Sequence, residues 1–203
     1  MTTELELTPF QSLLKRTLDV VLSAAILLFL APLLIIVSIL IKLEGPGPIL
    51  NKQRRFGPDG REVIIRKFRT MRIDADGDAI VRQATKSDSR ITSVGQFLRR
   101  TALDEIPALI SVLRGDMTLV GPRPKHAAEY DYYKSVATAV LHTKPGITSM
   151  SRVLGYEYGT PDAETLQLLY DSDKQYVQGW SIWLDLKIIG QTFVRAFTSG
   201  NAY

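Results

Sequence analysis

Residues 20–41 read VVLSAAILLFLAPLLIIVSILI, 22 positions without a charge, in which only Ser23, Pro32 and Ser38 interrupt the apolar run. At about 1.5 Å per residue a helix of this length matches the ~30 Å hydrocarbon core of a bilayer. The segment reads as a membrane anchor. It is too long for the apolar region of a removable leader, and Lys42-Leu43-Glu44-Gly45-Pro46 offers no small-x-small cleavage site behind it.

Two features set it apart from a plain crossing. Pro32 falls near its middle, and basic residues stand on both sides, with Lys15 and Arg16 before it and Lys42, Lys52, Arg54 and Arg55 after it. The preference of Lys and Arg for the cytosolic side then selects neither orientation. A helix that enters the bilayer, breaks at Ala31-Pro32 and returns to the same face satisfies both flanks. A straight span that tolerates its proline is the alternative.

Outward from the anchor, Gly45-Pro46-Gly47-Pro48 is a rigid turn cluster that divides the chain into 1–44 and 45–203. With 203 residues there is room for one compact domain besides the anchor. The charge is uneven: residues 1–102 hold 16 Lys and Arg against 10 Asp and Glu, and the remainder holds 9 against 11. The excess is concentrated at 52–72, next to the membrane segment, where it suits anionic lipid, phosphorylated ligands or nucleic acid, or is simply a solvated basic face.

The soluble part carries short mixed elements. Residues 62–67 (EVIIRK) predict a strand, 93–100 (SVGQFLRR) a helix, and 106–113 a helix with apolar Ile106, Leu109, Ile110 and Leu113, closed by Gly115. Residues 74–78 (DADGD) predict a loop. Thr160-Pro161-Asp162 with Glu164 predicts the start of a helix reaching Tyr176. The pattern at 180–197, with Trp180, Trp183, Phe193 and Phe197 among Lys187, Gln191 and Arg195, fits either an interfacial membrane helix or an amphipathic core helix.

The chemistry can be narrowed by elimination. There is no cysteine, so disulfides, thiolate metal sites and a cysteine nucleophile are excluded. His126 and His142 are isolated, which removes a zinc cluster, and no dinucleotide or Walker-type glycine loop is present. What remains is 98–107, LRRTALDEIP, two adjacent acids just after two adjacent arginines. Asp104 could simply cap the following helix, with Glu105 in its first turn. The same placement also serves phosphate chemistry. Asp104 would attack phosphorus, Arg99 and Arg100 would supply positive charge, and Glu105 would hold a divalent cation. With carboxylate and phosphate oxygens as the available ligands, that cation is a hard one, Mg²⁺ or Mn²⁺.

Several motifs in order and spacing resemble the bacterial sugar transferase family, the monotopic phosphoglycosyl transferases. They are KFRTM at 67–71, R-x-T-x-x-G-x-x-L-R-R at 90–100, LDE-x-P at 103–107 and RGDM-x-LVGPRP at 114–124, followed more loosely by PGIT at 145–148 and by 176–186. The resemblance implies an α+β fold attached to one membrane face. A re-entrant helix broken near Pro32 would occupy 1–44, and a small mixed α/β catalytic core with amphipathic interfacial helices would occupy 45–203. It implies Asp104 as nucleophile, Glu105 as a magnesium ligand, and Lys67, Arg69, Arg99 and Arg123 at phosphate-binding positions, with Thr70, Arg100 and Arg152 also in substrate binding. Larger members carry additional helices and a further domain ahead of this core, and the resemblance implies the minimal form here.

The implied reaction moves a sugar 1-phosphate from a nucleotide-sugar, expected to be UDP-linked, to polyprenol phosphate through an aspartyl-phosphosugar, with Mg²⁺, at the cytosolic face of a bacterial plasma membrane. It would initiate a surface glycan. Partners are the donor, the lipid acceptor and membrane lipids, and no nucleic acid is expected. The chain departs from the family pattern at Ala31, where serine is common, and at Tyr156, where arginine is usual. The loop from Ser149 to Tyr156 departs most from the family pattern and is therefore expected to set donor choice, with Arg152 carrying the charge lost at Tyr156. The rival readings are a membrane-anchored polyanion-binding adaptor and a phosphatase using the same carboxylate. Acids inside the basic patch count against the adaptor, and a membrane anchor favours a lipid acceptor over water.

Overall fold

The computed structural model describes residues 7–72, 88–136, 139–156 and 163–198. The loop expected at 74–78 and the helix-start residues 160–162 lie outside them.

The apolar segment is part of a longer helix, α1, Pro9–Leu43. Its start is fixed locally. Thr8 and Gln11 form a reciprocal capping box, Pro9 occupies the first turn, where its missing N–H costs nothing, and such a cap contributes about 1 kcal/mol. The secondary structure continues through Pro32 without the interruption anticipated there. Proline removes one backbone hydrogen bond from a helix interior but does not by itself end a helix supported on both sides.

One stripe of α1 is buried, through Lys15, Asp19 and Ser23 in its first half and Val37 and Ile41 in its second. The opposite face, with Leu28 79% and Phe29 84% exposed, is apolar and uncovered. The two halves pack on different cores. Leu22, Ile26 and Leu27 lie against the main cluster, which includes Val63, Leu109, Val112 and Met117. Leu33 and Leu34 join Val37 and Ile41 on a smaller cluster with Phe68 and Leu98.

After the Gly-Pro turn, β1 (Leu50–Phe56) and β2 (Glu62–Phe68) form an antiparallel hairpin with Lys67 opposite Asn51. On β2, Val63 and Ile65 point into the main core. The sequence at 93–100 forms α2 (Ser93–Arg100), capped by the Thr92 side chain. Gly95 allows this helix to lie on the end of β2, since a Cβ there would stand 2.0 Å from the Thr70 carbonyl oxygen.

The expected helix at 106–113 differs from the observed structure. A 3₁₀ turn spans Leu103–Ala108 and passes into the short α3, Leu109–Arg114, ended by Gly115 in the left-handed region. Pro107 inside the turn cannot donate a hydrogen bond, and proline disfavours α geometry in the residue before it, which accounts for the tighter start. The residue ahead of the turn is Ala102, itself left-handed at φ 54°, so Asp104 is not a helix cap.

The rest completes a mixed α/β body. A parallel pair joins β3 (Thr118–Val120) to β4 (Gly146–Thr148). Around it lie α4 (Ala127–Val136), α5 (Met150–Leu154), α6 (Ala163–Gln178) and α7 (Ile182–Thr198). On α7, Asp185 and Ile188 are buried whereas Trp183, Phe193 and Val194 are exposed. That helix therefore has both a core face and an uncovered apolar face.

Buried charges fasten the start of α1 to this body. Lys15 Nζ donates to Asp185 at 2.6 Å, to the Val120 carbonyl at 2.9 Å and to the Tyr176 hydroxyl at 3.2 Å. Asp19 accepts from the Thr118 hydroxyl at 2.7 Å and from the Leu119 N–H at 2.9 Å. The guanidinium of Arg16 donates to the Val112 and Leu113 carbonyls at 2.6 and 2.8 Å, closing the end of α3.

Candidate active site

Three chain segments meet at the acidic pair. The 3₁₀ turn presents Asp104 and Glu105, the end of β2 presents Lys67, and α5 presents Arg152, four residues before Tyr156. Lys67 Nζ donates to Glu105 Oε1 at 2.6 Å. Arg152 binds the same carboxylate with two nitrogens, Nη1 to Oε2 at 2.6 Å and Nη2 to Oε1 at 3.1 Å, and Nη1 also reaches the Ile147 carbonyl at 3.2 Å. The Ser149 hydroxyl accepts the backbone N–H of Arg152 and so fixes the start of α5. A bidentate guanidinium on a carboxylate is among the stronger and more directional ionic contacts available.

The two acids therefore differ. Burial alone would raise the pKa of Glu105, but Arg152 and then Lys67 more than offset it and hold the carboxyl well below its ordinary range. Asp104 goes the other way: burial first and the charge of Glu105 second push it up, against weaker pulls from Lys67 and Arg99. No described cation is in ion-pair contact with Asp104. Both carboxyls are partly desolvated, so the difference lies in the clamp: Glu105 is a fixed charge, while Asp104, without such partners, is the carboxylate with the greater tendency to share its electrons.

The other sequence-predicted residues divide into groups. Arg99 and Thr70 belong to the site, with Arg99 Nε donating to the Thr70 hydroxyl at 2.9 Å and its charge acting on Asp104. Arg100 is exposed on the last turn of α2. Arg123 pairs with Glu129 at 3.6 Å, beside Arg55, whose pKa is lowered by burial and by the Arg123 charge. Arg69 is directed elsewhere: its guanidinium donates to the carbonyls of Ile41, at 2.7 Å, of Gly45, at 2.8 Å, and of Pro46. Sequence reasoning missed Glu129 as the partner of Arg123 and the buried roles of Lys15, Asp19 and Asp185. For Lys15 and Asp19 the available signal is a base and an acid just before the apolar run, where unpaired charges are costly.

For a cation, the donor set consists of oxygens. Among the described residues no third acidic or histidine side chain joins Asp104 and Glu105. The oxygens of Glu105 already accept three N–H donors. Such a site fits Mg²⁺ only as an ion that takes much of its shell from phosphate and water, which is how Mg²⁺ is commonly held.

The sequence profile described as "Bacterial sugar transferase" matches residues 10–199. The chain is 40% identical over 194 residues to the UDP-glucose:undecaprenyl-phosphate glucose-1-phosphate transferase of Escherichia coli K12, a match covering 94% of this chain and 42% of that protein. It is 39% identical over 197 residues to the exopolysaccharide production protein PSS of Rhizobium leguminosarum bv. phaseoli, covering 94% of this chain and 98% of that one. A third relative, at 32% identity over 196 residues, is the UDP-N-acetylgalactosamine-undecaprenyl-phosphate N-acetylgalactosaminephosphotransferase of Aeromonas hydrophila, with 95% of this chain and 45% of the relative covered. The chain thus spans less than half the length of two of these relatives and nearly the whole of the other. With its motifs, its acidic pair and a profile match over almost its full length, the chain belongs to the bacterial sugar transferase family.

Proposed function

We propose that this chain transfers a sugar 1-phosphate from a UDP-sugar to a polyprenol phosphate, with undecaprenyl phosphate as the acceptor named in its relatives. The observation that carries the reading is the asymmetry of the acidic pair: Glu105 is held by Lys67 and Arg152 while Asp104 has no ion-pair partner among the described residues. A polyanion-binding adaptor would gain nothing from a desolvated carboxylate among its cations.

In the proposed mechanism a carboxylate oxygen of Asp104 attacks the phosphorus that bears the sugar. The bond from that phosphorus to the uridine monophosphate oxygen breaks, and an aspartyl-phosphosugar remains. An oxygen of the lipid phosphate then attacks the same phosphorus, the bond to Asp104 breaks, the polyprenol-diphosphate-sugar leaves and the carboxylate is restored. Lys67, Arg99 and Arg152 offset the repulsion between the carboxylate and the diphosphate. Mg²⁺, when bound, would screen further charge on the donor phosphates, with Asp104 and Glu105 as the residues able to face it.

Re-entry of α1, by a bend at Pro32 and not by the break expected from the sequence, belongs to the same reading. One end of the helix is tied to the body through Lys15 and Asp185, and the other through Arg69 and the Ile41 carbonyl. Two ends held by one body lie on that body's side of the bilayer, here the cytosolic side where UDP-sugars are made. The uncovered apolar faces of α1 and α7 are then the surfaces that meet lipid. The two UDP-sugars named among the relatives differ in the sugar, and α5 with Arg152 is the element proposed to discriminate between such donors.

The test is release of uridine monophosphate by purified protein given polyprenol phosphate and a panel of UDP-sugars. Release with one or more donors that depends on the lipid supports the reading. Release of inorganic phosphate from phosphomonoesters, or no turnover of any donor, would sink it. Incubation with labelled donor without lipid, followed by mass spectrometry of the intact protein, tests the covalent step, since direct attack by the lipid phosphate leaves no label on Asp104.

A further inference from the structure

Arg69 stands between two residues of the site, two positions after Lys67 and one before Thr70. Its side chain takes no part in the contacts made by either. It is 9% exposed and spreads its donors over the carbonyls of Ile41, Gly45 and Pro46, the end of α1 and the turn that follows. A helix C-terminus leaves its last carbonyls without helical partners and carries partial negative charge, so a buried guanidinium satisfies both needs there.

Neighbouring contacts reinforce the joint. The Arg69 backbone N–H donates to the Ile49 carbonyl at 2.8 Å, Phe68 packs in one cluster with Val37 and Ile41, and Glu44 accepts the Val94 N–H at the start of α2. The end of the membrane helix is therefore locked to β2, which carries Lys67 to Glu105, and to α2, which carries Arg99 to Thr70.

We propose that Arg69 is a positioning residue that sets the height of the Asp104–Glu105 site over the membrane surface, acting through the end of α1 and not by touching substrate. This rests on the lipid-acceptor reading above. A water-soluble donor reaches the site at whatever height it stands, whereas a phosphate on a membrane-embedded chain has its own height fixed by the bilayer. Misplacing a reacting group by about 1 Å can cost about 10²-fold in rate. Loosening the joint should consequently penalise the acceptor and spare the donor.

The experiment compares wild type, Arg69→Met, Arg69→Lys and Phe68→Leu in lipid nanodiscs. In a two-step transfer, kcat/KM for the donor reports the first half-reaction alone. Arg69→Met is expected to lower kcat/KM for long-chain polyprenol phosphate by about 10- to 100-fold. Its kcat/KM for the UDP-sugar should stay within about threefold, and its activity toward a short water-soluble isoprenoid phosphate should match wild type. Arg69→Lys should recover part of the loss, and Phe68→Leu, which weakens the same joint without altering charge, should show the same split. An equal fall for donor and acceptor, or a loss that persists with the soluble acceptor, would overturn the proposal.

A readout independent of activity keeps the two readings separable. The chain has no cysteine, so a spin label on Gln96→Cys is unique, and its relative accessibility to oxygen and to an aqueous nickel chelate reports the height of α2 over the bilayer. That height should shift or broaden in Arg69→Met, and an unchanged value would overturn the positioning role. If wild type turns over no UDP-sugar, the proposed reaction falls while this measurement still judges Arg69.

Discussion

Arg152 grips Glu105 with both terminal nitrogens, at 2.6 and 3.1 Å, although the two residues are 47 positions apart in the chain. This contact makes α5 part of the site and ties the element proposed to choose the donor to the acid beside the proposed nucleophile. Arg152→Ala removes a charge-assisted pair, and hydrogen bonds to charged groups are worth about 1.5–3 kcal/mol. A fall in kcat/KM for the UDP-sugar of roughly 10- to 100-fold is expected, with altered preference across a donor panel. Arg152→Lys should restore little, because an ammonium cannot bind a carboxylate in a bidentate fork. Unchanged rate and preference in Arg152→Ala would remove α5 from donor choice.

The acidic pair should separate activity from stability. Asp104→Asn removes the proposed nucleophile and should lower turnover by orders of magnitude, yet it also removes a carboxylate whose pKa is pushed up by burial and by Glu105. A carboxyl raised on folding costs stability once it ionises, so Asp104→Asn should melt at or above wild type at neutral pH, with the gap narrowing as the pH falls and Asp104 takes up a proton. Glu105→Gln does the reverse. It leaves Lys67 and Arg152 facing a neutral amide, so both activity and melting temperature should fall. Thermal unfolding of the two variants between pH 5 and 8 checks the sign.

Much of the local structure was legible in the sequence. Helix 93–100 and the strand beginning at Glu62 follow from periodicity, and Gly115 marks the end of α3, because these depend on neighbours within a few residues. The 3₁₀ turn was not anticipated, since the apolar spacing at 106–113 suits a helix and only Pro107 argues for a tighter start. The family motif implies a phosphate-binding role for Arg69. Alternation along β2 would put it on the same face as Lys67, but the strand ends at Phe68 and Arg69 turns toward α1. The partners of Lys15 and Asp19 lie 99 to 170 residues away, beyond any local pattern.

The Lys15–Asp185 pair should matter for the attachment of α1. Lys15 is 8% and Asp185 1% exposed, and removing one partner of a buried pair commonly costs about 3–5 kcal/mol because the other charge is left unpaired. Asp185→Asn should lower the melting temperature markedly in detergent micelles, and Lys15→Met should do so as well. The double variant Lys15→Met/Asp185→Asn should be less destabilised than the sum of the single changes. Additive losses would mean that the pair is not a coupled unit.

Chelation should abolish turnover, with Mg²⁺ or Mn²⁺ restoring it, because the ligands on offer are oxygens. Binding of the protein to membranes should survive chelation, since the anchor is apolar. Full activity in excess EDTA, with no metal retained on analysis, would remove the metal role assigned to Glu105 and leave Lys67, Arg99 and Arg152 as the screening charges.

The topology of α1 gives the most direct test of how the chain sits in the membrane. Thr8 precedes the helix and Lys52 follows it, and both are exposed. With no native cysteine, Thr8→Cys and Lys52→Cys each introduce a unique thiol. The Thr8 side chain supplies a cap, whereas Lys52 is held through its backbone pairing with Arg66, so the first substitution should cost about 1 kcal/mol and the second close to nothing. In sealed, inside-out vesicles a membrane-impermeant maleimide should label both sites, and in intact right-side-out cells it should label neither. That result follows from the fastening of the two ends: Lys15, Asp19 and Arg16 bind the body seven to eleven residues after Thr8, and the Ile41 carbonyl meets Arg69 eleven residues before Lys52. A straight crossing would have to pull one of these sets apart, exposing buried charges at a cost of several kcal/mol. Opposite labelling of the two thiols would therefore refute re-entry, and it would also require the body to release one end of α1 in the membrane.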